Sequence, residues 1–101
     1  MDSKNGVVET RYDNGELKSR ANFKNGKRDG LCEEWYESGQ LKSRANYKND
    51  KFDGLYEYWH ENGQLWVRVN FKDGKREGLY EIWYENGQLL ESIMYNDGIK
   101  Q

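Results

Sequence analysis

The sequence lacks the residues that build disulfide-rich or metal-binding proteins. Its 101 residues include no proline, one cysteine (Cys32) and one histidine (His60). A single cysteine cannot form an internal disulfide, and one cysteine with one histidine cannot provide the usual ligands of a zinc site. We therefore expect no disulfide, no metal and no cofactor, as is typical of a protein in a reducing compartment.

Long hydrophobic runs are absent as well. The mean hydropathy is −1.24, and no stretch is long and apolar enough for a membrane-spanning helix. Residues 1–6 lack the apolar segment of a signal peptide, although a signal sequence removed from the chain would leave the same residues. These features predict a cytoplasmic protein that is not attached to a membrane.

Neither sign of charge dominates the chain. Sixteen Lys and Arg residues against 18 Asp and Glu residues give a formal net charge of −2, which argues against a nucleic-acid partner, since such proteins neutralise phosphates with a basic surface. Aromatic residues make up 15% of the chain, whereas disordered chains are poor in aromatics. The sequence therefore predicts one small folded domain.

The most informative feature is an internal repeat of 24 residues. Three sets of residues recur at this spacing: Gly6, Gly30, Gly54 and Gly78; Gly15, Gly39, Gly63 and Gly87; and Leu17, Leu41, Leu65 and Leu89. They divide the chain into a lead-in at 1–5 and one repeat domain at 6–101, made of units 6–29, 30–53, 54–77 and 78–101.

Each unit contains two short runs that favour β-strands. In the third unit these runs are Leu55–His60 and Gln64–Phe71, with Asn62-Gly63 between them and Asp73-Gly74 after them. Asn-Gly and Asp-Gly between such runs are typical of hairpin turns, because glycine accepts a positive φ. The pattern predicts an all-β fold of four tandem 24-residue β-hairpins, with two strands in each unit.

Strand alternation predicts which residues share a face. Leu55, Glu57 and Trp59 lie on one side of the first strand, and a three-residue Glu-Asn-Gly loop would bring Leu65 to that side. A two-residue loop would reverse the faces of the second strand. We favour the three-residue loop because it collects Leu55, Trp59, Leu65, Val69 and Phe71 into one buried stripe. The predicted structural residues are Trp35, Trp59 and Trp83 with Gly39, Gly63 and Gly87.

The repeat resembles the MORN-repeat variant family. The residues that carry the resemblance are Gly-Leu-Tyr-Glu-x-Trp-x-Glu-Asn-Gly-Gln-Leu, followed by Phe-Lys-Asp-Gly-Lys-x-x-Gly. The terminal units depart from the pattern, with Arg11 in the Trp position, Glu16 in place of Gln and Ile99 in a Lys position. The resemblance implies an elongated, twisted antiparallel sheet and a role in protein contact or scaffolding. Bacterial members are often described as antitoxins, so the resemblance also implies a toxin as a possible partner.

Neither the repeated charges nor the single cysteine suggests catalysis. Glu recurs in all four units and Arg in the first three, at positions that can form cross-strand pairs, whereas a catalytic pair is normally unique. Cys32 has no base nearby, because His60 belongs to the next unit and is out of register with it. The lysines beside the turns are balanced by acidic neighbours and are typical of a solvated rim. We expect no catalytic residue and no enzyme activity.

The second face of the sheet changes along the chain. In the first half it is largely polar and carries Val8, Thr10, Lys18, Glu34 and Lys42. In the second half we predict a partner-binding patch of Tyr56, Tyr58, Trp66, Tyr80, Ile82, Leu90 and Met94. Surfaces rich in Tyr and Trp are typical of protein interfaces. The alternative is that the sheet curls and buries both faces near this end.

Two classes of function remain open from the sequence. The first is a non-enzymatic interaction module that binds a protein partner or forms a homodimer through its C-terminal half. The second is a repeat module that binds a glycan, a choline-like ligand or an acidic lipid, since aromatic repeats can hold such ligands by stacking or cation–π contact. The tryptophans recur beside leucine and valine, which favours the first.

Overall fold

The computed structural model describes residues 4–101, so the first three residues of the predicted lead-in lie outside the described part. The described chain forms a single antiparallel sheet whose strand order follows the chain order. Its strands are β1 (Gly6–Arg11), β2 (Leu17–Lys24), β3 (Lys27–Trp35), β4 (Leu41–Lys48), β5 (Lys51–Trp59), β6 (Leu65–Lys72), β7 (Lys75–Trp83), β8 (Leu89–Asn96) and β9 (Ile99–Lys100). The predicted all-β repeat fold is confirmed, and the two-residue strand β9 is an addition to it. No helix among residues 4–101 is long and apolar enough to cross a membrane.

Two kinds of turn alternate along the sheet. Within a unit the strands are joined by three-residue loops, of which Glu61–Gly63 is one: the His60 amide donates to the Gln64 carbonyl at 2.8 Å, and Gly63 adopts a φ of +90°. Between units the turns have two residues, as at Asp73-Gly74, where both φ angles are positive. That combination identifies a type I′ turn, whose twist matches the flanking strands. The predicted three-residue loop is confirmed.

A β-bulge beside each three-residue loop decides the faces of the sheet. Trp59 pairs with Leu65, but Tyr58 pairs with Val67, so Trp66 is an extra residue on β6. Because a bulge reverses the alternation of the strand beyond it, Val69 pairs with Tyr56 rather than with Leu55. Trp59 and Leu65 share a face as predicted, whereas the prediction that Val69 and Phe71 continue the same stripe is wrong.

A second irregularity bends the first strand of each later unit. Ala45 pairs with Tyr56 and Tyr47 pairs with Phe52, so β5 uses four residues where β4 uses two. Gly54 lies within this stretch at a φ of +104°, a conformation that glycine adopts at no steric cost. The bend lets Phe52 pack against Tyr47, with the ring centroids 4.8 Å apart.

The two faces carry different side chains. We call one the aromatic face, defined by Tyr56, Tyr58, Val67, Val69 and Phe71, and the other the ladder face, defined by Trp59, Leu65 and Arg68 with their equivalents in the other units. The sheet measures 44 × 33 × 12 Å, which is one layer thick. Its tightest packing lies on the aromatic face, where Val69 is only 2% exposed and Ala45 is also buried.

The ladder face is not the buried core that the sequence predicted. Its leucines Leu31, Leu55 and Leu79 are exposed, and its tryptophans are half-buried. The buried stripe was expected there because tryptophan and leucine recur in it. The aromatic face is more enclosed because rings from neighbouring units, such as Phe52 and Phe71, stack over its small residues at a centroid distance of 4.8 Å.

Candidate functional site

The ladder face repeats one arrangement of charge and ring. The predicted Glu–Arg pairs form across strands at Arg20–Glu9 (2.9 Å), Arg44–Glu57 (3.1 Å) and Arg68–Glu81 (3.3 Å). Each guanidinium also lies over an indole, with the pairs Arg20–Trp35, Arg44–Trp59 and Arg68–Trp83. Exposed pairs of this kind contribute little energy individually. Their recurrence in successive units indicates a structural role, and the arginines cover the ring faces that a cationic ligand would need.

A column of side chains ties each unit to the next. The Tyr12 hydroxyl donates to the Trp35 carbonyl at 2.7 Å, and the Tyr36 hydroxyl donates to the Trp59 carbonyl at 2.5 Å. His60 takes the same role one unit later, with its Nε2 3.0 Å from the Trp83 carbonyl. Since a carbonyl only accepts, Nε2 carries the proton in this contact. The column holds successive hairpins in a fixed orientation.

Burial keeps the Tyr36 hydroxyl in its donor form. Desolvation, with a smaller contribution from neighbouring Tyr58, raises the pKa of Tyr36 to about 12. The neutral hydroxyl therefore remains a donor to the Trp59 carbonyl well above neutral pH. The link between units two and three is independent of pH throughout the physiological range.

An open groove lies on the aromatic face of the C-terminal half. We call it the aromatic groove, and it is lined by Tyr56, Tyr58, Trp66, Val67, Tyr80 and Ile82. Trp66 meets Tyr58 edge to face, with a centroid distance of 5.6 Å, and its ring stacks on His60 at 4.3 Å. His60 itself is buried and bonded to the backbone. Trp66 is thus held in place on one ring face, while 41% of its surface stays exposed.

The same face in the N-terminal half is more polar. Ser43 donates to Glu34 at 3.1 Å, and Cys32 lies opposite Ala45 in the β3–β4 pairing. Burial raises the pKa of the Cys32 thiol, which disfavours the nucleophilic thiolate. The thiol lies on the face opposite Trp35, as predicted. Among residues 4–101, no group of His, Cys, Asp and Glu could hold a metal ion.

The structure brings together five of the seven residues predicted for the patch: Tyr56, Tyr58, Trp66, Tyr80 and Ile82. Leu90 occupies the bulge position of Trp66 one unit later, beside the pairs Ile82–Glu91 and Trp83–Leu89. Met94 does not join them, because it pairs with Leu79 and therefore lies on the ladder face. Met94 was assigned by simple alternation from Leu90, and the bulge at Leu90 reverses that alternation.

Val67 is the groove residue that sequence reasoning missed. The bulge places Trp66 and Val67 on the same side of the sheet. The sequence contains a signal for this placement. Val67, Val69 and Phe71 are apolar residues at every second position of their strand, and their natural partners across the hairpin are Tyr56 and Tyr58 rather than Trp59. A bulge is the one irregularity that lets both this alignment and the Trp59–Leu65 pairing hold.

Comparison with known proteins identifies the repeat. Four segments, 4–25, 28–49, 52–73 and 76–97, match the model of a family described as MORN repeat variant. The matches begin at intervals of 24 residues, which is the period of the sequence. Repeats of this family are typically binding modules without catalytic activity. No curated protein matches the chain.

Proposed function

Since the chain belongs to the MORN repeat variant family, we propose that it is a non-enzymatic module that binds a protein partner through the aromatic groove. One observation carries this proposal: Tyr, Trp and Ile side chains converge on one face in units three and four, where the equivalent positions of units one and two carry Lys, Glu, Thr and Ser, with only Val8 and Cys32 apolar. Folding alone requires no such change, because all four units share one backbone pattern. Aromatic residues in an open groove are typical of interface hot spots.

The groove is built to bind without rearranging. Trp66 is fixed by its stack on His60, and His60 is fixed by its bond to the Trp83 carbonyl. An ordered side chain loses little conformational entropy when a partner covers it, so more of the burial free energy appears as affinity. The partner is held by occlusion: its surface is covered by the groove, and no bond is made or broken.

Two kinds of occupant can be considered for the groove, a protein such as a toxin and a small ligand. If the partner is a toxin, this occlusion would neutralise it, which is the antitoxin role that the family resemblance implies. A glycan or a choline-like ligand is the competing occupant. The arginines over Trp35, Trp59 and Trp83 already occupy the cation site on those rings, so the two kinds of ligand compete for the groove and not for the ladder face.

The proposal is tested with two variants of equal exposure on opposite faces. Trp66→Ser removes the exposed ring of the groove, and Leu55→Ser removes a side chain that is 42% exposed on the ladder face, against 41% for Trp66. A partner captured from the native cell is purified, and its affinity for each variant is measured by calorimetry. We expect Trp66→Ser to weaken binding at least tenfold, the effect of a hot-spot aromatic, and Leu55→Ser to leave it within twofold.

Two outcomes contradict the proposal. Equal affinities for the two variants would place the binding surface elsewhere. Saturable quenching of tryptophan fluorescence by choline or a glycan, lost in Trp66→Ser alone, would identify the groove as a small-ligand site instead. Circular dichroism of both variants verifies that the fold is retained before binding is compared.

A further inference from the structure

The two outer strands of the sheet leave hydrogen-bonding edges open. The outer edge of β8 is paired only near its end, where β9 pairs with Tyr95 and Asn96 and the Gln101 amide donates to the Met94 carbonyl. The described residues provide no strand beside residues 89–93 on that side, nor beside the outer edge of β1. Unpaired strand edges are templates for pairing with another chain.

The β8 edge has lost the basic side chains of the earlier second strands, and its one charged residue is Glu91. Lys18 and Lys42 are replaced by Leu90, and Arg20, Arg44 and Arg68 are replaced by Ser92. Leu89, Leu90 and Met94 are all exposed, Leu89 by 53%. Charged side chains normally protect an edge strand from association, so β8 is the less protected of the two edges.

The molecule itself shows how such an edge is filled. Three times, the second strand of one unit pairs with the first strand of the next: β2 with β3, β4 with β5, and β6 with β7. Within residues 4–101, β8 is a second strand without a full successor, and β1 is a first strand with no strand before it in the sheet. We infer that β1 of a second copy of this chain pairs with β8, in the register that the internal junctions use.

That register specifies three residue pairs. The junction β4–β5 pairs Ser43 with Tyr58, Arg44 with Glu57 and Ala45 with Tyr56. Translated by the repeat, the pairs between copies are Glu91 with Thr10, Ser92 with Glu9, and Ile93 with Val8. Ile93 and Val8 bring two aliphatic side chains together on the aromatic face, and Glu9 and Glu91 each meet a hydroxyl. No like charges face one another directly across the new junction.

Tyr84 supports this register independently. Tyr12, Tyr36 and His60 each bond to the backbone carbonyl that stands 23 residues further along the chain. Tyr84 holds the next position in this column, but its hydroxyl has no partner within residues 4–101, and half of the residue is exposed. In the proposed junction the equivalent acceptor is the carbonyl of Arg11 of the second copy.

One segment at the junction must move. Lys4 and Asn5 hold places equivalent in the repeat to Lys100 and Gln101. In one copy Lys4 accepts from the Gly26 amide, and in the other the Gln101 amide donates to Met94. Both segments would occupy the same space, so β9 or the segment before β1 must be displaced. Removing Ile99–Gln101 should therefore strengthen the association.

The first test is sedimentation velocity of the full chain over a wide range of concentration. A head-to-tail contact uses different surfaces on the two copies, and one that continues the linear strand order leaves an open edge at each end of the assembly, so we expect a series of species larger than a dimer that grows with concentration. The chain without Ile99–Gln101 should reach the same series at lower concentration. A monomer at every concentration overturns the inference, and so does a single dimer that does not grow.

The second test uses charges that meet only between copies. Thr10→Glu places a carboxylate opposite Glu91, and like charges opposite one another weaken strand pairing, here by roughly two- to fivefold in the association constant. Adding Glu91→Lys to the same chain should restore association, whereas Glu91→Lys alone should change it little. If the double variant associates no better than Thr10→Glu, this register is overturned.

Tyr84→Phe gives a third measurement. It removes the hydroxyl assigned to the Arg11 carbonyl of the second copy, so we expect weaker association with no change in the melting temperature of the dilute monomer. Unchanged association would overturn the role of Tyr84. The groove variant Trp66→Ser lies away from this edge and should leave self-association intact, so the failure of this inference and the failure of the proposed function are distinguishable.

Discussion

The two faces of the sheet use the repeat in opposite ways. On the ladder face the Arg–Glu–Trp arrangement recurs with little change, as at Arg44, Glu57 and Trp59. On the aromatic face equivalent positions differ, so that Lys42 in the second unit becomes Trp66 in the third. Yet the constant face is the more exposed one, and the variable face contains the most buried side chain, Val69.

This difference shows that the residues that recur in every unit are not the residues that are most buried. The ladder face repeats because every hairpin must pair with its neighbours in the same register, and cross-strand pairs enforce that register. The aromatic face is free to vary wherever packing across units is preserved, and that is where a binding surface can develop. In a sheet one layer thick, a tryptophan that recurs in each unit therefore indicates a position that fixes the strand register, and not a buried core position.

The largest expected effect tests which face is buried. Val69→Asp places a carboxylate in the tightest packing of the sheet, while Asn70→Asp places the same group one residue later on the exposed ladder face. We expect the first to lower the free energy of unfolding by at least ~3 kcal/mol and the second by less than ~1 kcal/mol, which includes the repulsion from Glu77 opposite it on β7. Urea unfolding followed by tryptophan fluorescence measures both. Similar losses would mean that the two faces are equally buried.

The next effect compares two tryptophans on opposite faces. Trp59→Ala removes a half-buried indole together with its contact to Arg44, and we expect a loss of about 2 kcal/mol, below the 3–5 kcal/mol of a fully buried tryptophan. Trp66→Ala removes the exposed ring of the groove and should cost about 1 kcal/mol or less. Thermal unfolding measures both variants. A larger loss of stability in Trp66→Ala than in Trp59→Ala would contradict this comparison.

A smaller effect isolates the hydrogen bonds between units. Tyr36→Phe leaves the Trp59 carbonyl without its side-chain donor, and we expect a loss of about 1 kcal/mol. The matched control is Tyr84→Phe, because the Tyr84 hydroxyl has no hydrogen-bond partner within residues 4–101 and its removal should leave the unfolding midpoint of the monomer unchanged. Equal shifts in chemical denaturation would show that the column contributes nothing to stability.

The smallest effect is a decline of stability in alkali. The pKa of Tyr36 is raised from 10.0 to about 12 in the folded protein, so between these values the unfolded chain has lost a proton that the folded chain keeps. The unfolded state then binds fewer protons, and the free energy of unfolding falls as the pH rises. Tyr36→Phe should flatten this decline in unfolding curves collected at increasing pH. An unchanged slope would assign the decline to other tyrosines.

Much of the architecture was predictable because it depends on spacing. The 24-residue period, the hairpins and the three-residue loop at Glu61–Gly63 follow from where Asn-Gly and the leucines recur. The faces beyond the loop were not predictable by alternation, because the bulge at Trp66 inserts one residue into β6. Neither glycine nor proline marks that position, and the equivalent residues are Lys18, Lys42 and Leu90.

The candidate site was predictable only in part for the same reason. Tyr56, Tyr58, Tyr80 and Ile82 belong to the regular ends of first strands, beyond the irregularity near Gly54 and Gly78, and all four line the groove. Met94 lies beyond a bulge, and alternation therefore assigned it to the opposite face from the one it occupies. The bonds from Tyr12, Tyr36 and His60 were not predicted, because their acceptors are backbone carbonyls that a sequence pattern does not distinguish.

The match between strand order and chain order has a consequence for how the protein is made. Each hairpin needs only the one synthesised just before it as a template, and no late segment has to return to an early one. Sheets built from such local contacts fold faster than those that join distant segments. The nascent chain can therefore fold by adding one hairpin at a time to the sheet while it is still leaving the ribosome.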